Sequence, residues 1–137
     1  MRPFSIGKKM QHETIVFIDD IPEAVEAFIH GARQHQFEVH FFGSGRQGLE
    51  FITKNPVNLV VLDLVMPEMD GVEVLQKIRL KFSRQDLPVI VCSTKTSELD
   101  SEMALVNGAN LFINKNLKIS EFLSCVQSQL RNANPLK

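Results

Sequence analysis

The stretch Asn58-Leu-Val-Val-Leu-Asp63-Leu-Val-Met-Pro-Glu-Met-Asp70-Gly71 decides the fold. An apolar run that closes on an acid and passes at once into a segment bearing proline and glycine predicts a buried strand delivering a carboxylate at its C-terminal end. A second run of the same kind, Thr14-Ile-Val-Phe-Ile18, closes on Asp19-Asp20. Two strands that each end in acids can build one pocket of three carboxylates. Such a pocket repels itself unless a cation sits in it. The chemistry predicted is a magnesium site with a carboxylate poised to react.

Outward from these two runs, apolar segments alternate with helix-like ones. Strands are predicted over 14–18, 38–42, 59–62, 89–93 and 111–114, three of them almost wholly apolar, as strands covered on both faces should be. Pro22 suits a first helical turn and is followed by Ala24, Val25, Phe28, Ile29 and Ala32 at helical spacing. Further helices are predicted over 45–54, from Gly71 through Leu80, over 97–107 with Gly108 as its stop, and over 119–132. Strand–helix alternation with short links predicts an α/β fold, a doubly wound (βα)5 unit around a five-stranded parallel sheet. The flavodoxin-like order 2-1-3-4-5 sets the ends of strands 1 and 3 side by side at the topological switch point, where Asp19, Asp20 and Asp63 meet.

Bulk properties narrow the class. A chain of 137 residues makes one domain, expected over 13–132 between tails at 1–12 and 133–137. A formal net charge of −1 gives no reason to expect nucleic acid or an anionic membrane as partner. No apolar run approaches the roughly 20 residues needed to span a bilayer, and the basic first ten residues lack the apolar core of a signal peptide. Cys92 and Cys125 lie far apart and read as buried thiols, which fits a reducing cytoplasm.

Several segments together carry a family resemblance. They are Asp19-Asp20 after strand 1, the Asp63-to-Pro67 segment with Asp70-Gly71 behind it, Pro88-Val-Ile-Val-Cys-Ser93 with a hydroxyl at the end of strand 4, and Gly108-Ala-Asn-Leu-Phe-Ile-Asn-Lys115 with an aromatic residue and a lysine on strand 5. Over 14–130 the chain resembles the receiver domain of a two-component response regulator, of the single-domain chemotaxis-receiver kind.

The resemblance implies that Asp63 is the phosphoacceptor, taking a phosphoryl group from a histidine kinase with Mg²⁺ as cofactor. It implies Asp20, Asp63 and the backbone carbonyl of Val65 as metal ligands, with Asp19 acting through a water or tuning the site. Lys115 pairs with Asp63 beforehand and with the phosphoryl oxygens afterwards. Ser93 bonds the arriving group, and Phe112 swings inward behind it, so that helix 4, strand 5 and helix 5 signal to a target protein or a histidine phosphotransfer protein. The expectation is a stand-alone phosphoacceptor with no output domain and no enzymatic turnover beyond slow self-catalysed phosphotransfer and dephosphorylation. Taken singly, each residue has a plainer reading: Asp19 or Asp20 as a helix cap, Lys115 as a solvated lysine, Phe112 as core.

The sequence departs from the family pattern in three places. Asn116 stands where a proline, commonly after a cis bond, usually follows the lysine, so either a trans bond with a reshaped loop or a strained cis bond is expected. Thr94 is larger than usual, and Phe112 lacks the hydroxyl of the commoner tyrosine. Other readings compete. Gly43-Ser-Gly-Arg-Gln-Gly48 fits a dinucleotide-binding fingerprint but leaves Asp19, Asp20, Ser93 and Lys115 without a role. A phosphatase using an aspartyl phosphate lacks its second acid, since Val65 holds that place, and flavin binding would want the electrostatic opposite of Asp19-Asp20. The alternative of a different class is a receiver-fold interaction scaffold with weak or no phosphorylation.

Overall fold

A computed structural model describes residues 12–66, 69–94 and 98–136. The tail expected before the domain thus lies almost wholly outside the described residues, as does Ser97 at the expected start of the fourth helix. Five strands, β1 (Thr14–Ile18), β2 (Glu38–Phe42), β3 (Leu59–Asp63), β4 (Val89–Ser93) and β5 (Leu111–Asn114), alternate with α1 (Pro22–Gln34), α2 (Gly45–Lys54), α3 (Gly71–Arg79), α4 (Glu98–Val106) and α5 (Ile119–Asn132). All four strand pairs are parallel, and the order is β2-β1-β3-β4-β5. The expected topology is observed. One boundary differs usefully: β3 runs one residue further than its apolar run, because Asp63 itself pairs with Cys92 of β4. The backbone of the acid is therefore held by the sheet rather than by a loop.

Side chains alternate across each strand and so feed two separate cores. Val16, Ile18, Val60, Leu62, Val89 and Val91 face α2, α3 and α4, packing on Ile52, Val74, Leu75, Ile78 and Ala104. Ile15, Phe17, Leu59, Val61, Ile90 and Cys92 face α1 and α5. There Phe28 and Phe122 stack with ring centroids 4.2 Å apart and planes 3° from parallel.

Local chemistry starts the helices. Ser44 caps α2 by accepting from the Gln47 amide, and Asp70 caps α3 by accepting from the Glu73 amide. In α5 the Glu121 carboxylate reaches back to the Lys118 amide. Gly71 is required by contact with the strand that carries Asp63. A Cβ there would lie 2.2 Å from the Asp63 carbonyl oxygen, and the Gly71 amide donates to the Leu64 carbonyl at 2.8 Å. The start of α3 is thereby held tightly against the end of β3. Gly48 lets α2 approach β1, since a Cβ would meet the Ile18 side chain at 2.4 Å. Packing thus accounts for Gly48, and for Gly45, where a Cβ would meet the Val74 side chain at 2.5 Å. The glycine-rich segment follows edge strand β2, away from the switch point between β1 and β3, where a dinucleotide would bind.

The opposite end of the sheet is locked by Arg79. Its guanidinium donates to the carbonyls of Gly108, Phe82, Ser83 and Leu87 and to Asn110 Oδ1. Burial, with the nearby Arg84 charge, lowers its pKa to about 10, so it stays charged at neutral pH. Among the described residues no helix is long and apolar enough to cross a membrane.

Candidate phosphoacceptor and metal site

At the C-terminal edge of the sheet the two acid-bearing strands lie side by side. Asp19, Asp20 and Asp63 each offer a carboxylate oxygen, and these lie within 4.8 Å of one another. Asp19 and Asp63 are buried, at 2% and 6% exposure. From β5, Lys115 reaches back under them, its ammonium 2.6 Å from Asp19 Oδ2 and 3.1 Å from Asp63 Oδ1. The expected pairing with Asp63 is observed, and the lysine is shared with Asp19 as well.

The two adjacent acids are used differently. Asp19 spends both oxygens inside the protein: Oδ1 accepts from the Ile21 amide at 2.9 Å, and Oδ2 meets Lys115. It is not the cap of α1, whose N-cap is Ile21. Asp20 is half-buried, and its Oδ1 is buried with no hydrogen-bond partner among the described residues. A buried carboxylate oxygen is costly to leave unsatisfied, and an oxygen-seeking cation would satisfy it. Three carboxylates facing one ammonium, all oxygen donors, suit Mg²⁺ or a similar hard ion.

Burial, and then the Asp19 charge beside it, raise the Asp63 pKa to about 6, against the pull of Lys115 and of the Val65 amide that donates to its carboxylate. Burial works against the charged form of Lys115, but the Asp19 and Asp63 carboxylates outweigh it and hold its pKa above the usual lysine value. Val65 is 61% exposed and meets the site through its backbone amide. Cys92, paired with Asp63 across β3 and β4, is buried, which pushes its thiol up to about 12 and keeps it protonated.

Ser93 ends β4 buried and opposite Asn114, and its carbonyl accepts from the Lys115 amide at 2.9 Å. Thr94 beside it is exposed. Phe112 is half-buried and packs against the core shared by α2, α3 and α4. No peptide bond among the described residues is cis, so Lys115–Asn116 is trans, the first of the two expected outcomes. Sequence reasoning missed Asn114, whose side chain shapes the turn after β5; an asparagine at the end of a strand, where it can accept from the amide two residues on, was the available signal.

Residues 15–127 match the response regulator receiver domain model. The chain belongs to the response regulator receiver domain family. It is 31% identical over 121 residues to response regulator GtcR of Aneurinibacillus migulanus, covering 88% of this chain and 49% of that protein. It is also 31% identical to transcriptional regulatory protein HprR of Escherichia coli K12, covering 89% and 53%. The receiver chain spans about half the length of these relatives. Among solved structures, a CheY-like receiver domain protein from Methanospirillum hungatei JF-1 superposes with TM-score 0.79 at 23% identity, covering 88% of this chain and 95% of that one. Chemotaxis protein CheY4 of Vibrio cholerae also gives 0.79, at 21% identity, covering 86% and 98%. These two similarities establish the fold. Family membership makes this a receiver domain of two-component response regulators.

Proposed function

We propose that this receiver takes a phosphoryl group on Asp63 from a phosphohistidine donor. The observation that carries the reading is one constellation: a strand-held, buried Asp63 beside two further acids, with the buried Lys115 ammonium bridging Asp19 and Asp63. A carboxylate oxygen of Asp63 forms the new O–P bond as the donor's N–P bond breaks. The electron pair stays on the imidazole nitrogen, which takes up a proton. Lys115 follows the transferred oxygens as a compact point charge. Asp20, Asp63 and the Val65 backbone carbonyl would hold Mg²⁺, with Asp19 reaching it through a water. When bound, the ion would neutralise charge developing on the phosphoryl group.

Ser93, at the end of β4, would hydrogen-bond the arriving phosphoryl group, a contact made only in the modified state. Phe112 pairs with Val91 on the β4–β5 ladder, two positions before the Ser93–Asn114 pair, and would follow by packing alone. The output surface is α4, β5 and α5. Exposed Leu99, Met103 and Val106, at i, i+4 and i+7 on α4, support that reading. The partner is a target protein or a histidine phosphotransfer protein, and the receiver acts as a phosphoacceptor rather than a multi-turnover enzyme. Borohydride reduction of the labelled protein tests the site, because an aspartyl phosphate becomes homoserine. Homoserine at position 63 supports the assignment, and its appearance at Asp19 or Asp20 overturns it.

A further inference from the structure

We propose that Asn114 is a positioning residue that holds Lys115 in reach of the acid site. Its functional readout rests on the phosphoacceptor reading of Asp63. The chain turns as soon as β5 ends. The Asn114 carbonyl accepts from the Leu117 amide at 3.0 Å, closing a turn with Lys115 and Asn116 at its centre. Inside that turn Asn114 Oδ1 accepts from the Asn116 amide at 2.6 Å. A side-chain oxygen bonding the amide two residues on is an Asx turn, and it stiffens the larger turn around it.

Lys115 is thereby fixed from two sides. Its own amide donates to the Ser93 carbonyl at 2.9 Å, extending the β4–β5 ladder. The Asn114 side chain fixes the residue that follows. The ladder alone leaves the chain free to rotate beyond the Lys115 amide, and the Asx bond removes that freedom. With both in place the ammonium sits between Asp19 and Asp63, at distances that tolerate little displacement. A proline at 116 has no amide hydrogen and could not make this bond, so the Asx turn depends on the residue that stands there.

The test follows acetyl phosphate labelling in Mg²⁺ by intact mass for wild type, Asn114→Ala and Asn114→Ser, together with the NMR signal of the Lys115 side chain. Serine keeps a short oxygen acceptor. Asn114→Ala is expected to label about tenfold more slowly, the effect of one ordinary hydrogen bond, while Asn114→Ser stays within about threefold of wild type. The Lys115 signal shifts in the alanine variant and stays near its wild-type position in the serine variant. An unmoved Lys115 signal in Asn114→Ala, or equal slowing in both variants, overturns the proposal. If wild type takes no phosphoryl group, the phosphoacceptor reading fails instead. The Asn114 contact is then judged on the Lys115 signal, where a shift confined to Asn114→Ala supports it.

Discussion

At Asp63, burial and the Asp19 charge oppose ionisation while Lys115 and the Val65 amide favour it, and the opposition wins. The sign of the pH dependence follows. The folded pKa of about 6 stands above the ordinary carboxylate value, so folding favours the protonated acid. The stabilisation from this group is full below about pH 4 and is lost as pH rises through about 6. The full lift is worth at most roughly 3 kcal/mol, and solvent at the pocket mouth trims it to about 1–2 kcal/mol. Asp63→Asn is therefore expected to stabilise the metal-free protein by about that amount at pH 7.5 and to have little effect at pH 4. Urea melts in chelator at both pH values check this; an equal difference at both would contradict it. Burial alone does not set a residue's role here. Adjacent Asp19 and Asp20 differ because the turn after β1 gives Asp19 Oδ1 an amide and its Oδ2 a lysine, whereas Asp20 Oδ1 has no partner among the described residues.

At the scale of elements, packing limits make two contrasts. Gly71→Ala would press a Cβ into the Asp63 and Leu64 backbone, which cannot move without disturbing β3. Gly48→Ala presses instead on the Ile18 side chain, which can change rotamer. Gly71→Ala is expected to cost about 2–3 kcal/mol and to slow labelling, with Gly48→Ala costing about 1 kcal/mol and leaving the rate near wild type. Thermal melts and labelling rates read both effects. Arg79 makes the second contrast. Arg79→Lys removes the fork that serves four carbonyls and Asn110, so it is expected to lower stability by about 2 kcal/mol. Its Mg²⁺ affinity stays near wild type, because the lock lies at the far end of the sheet; titration calorimetry reads that part. Sequence showed the strands plainly, since four of the five run over the residues expected of them. It showed the acids and Lys115 because the topology forces strand ends together. It could not show that β3 includes Asp63, because pairing with Cys92 is a contact between distant residues. Nor could it show the sharing of Lys115 with Asp19 or the Asn114 turn, which depend on side-chain direction rather than on pattern.

Over the whole molecule, two cores clamp one sheet, and the charged site sits where the strand order reverses. Folding has therefore spent stability to gather like charges, and a cation should return some of it. Saturating Mg²⁺, at about 100 times its dissociation constant, is expected to stabilise the wild type by roughly 2.7 kcal/mol. The gain should be much reduced in Asp20→Ala, which removes the unpartnered Asp20 Oδ1, and should weaken below about pH 6 as Asp63 takes up its proton. A melting temperature insensitive to Mg²⁺ at pH 7.5 would contradict the metal site. The most direct measurement is the intact mass of wild type and Asp63→Asn after incubation with acetyl phosphate and Mg²⁺. One added phosphoryl group on the wild type and none on Asp63→Asn is the predicted result. Equal labelling of both, or no labelling under conditions that modify another receiver, would contradict the account and favour a receiver-fold interaction scaffold.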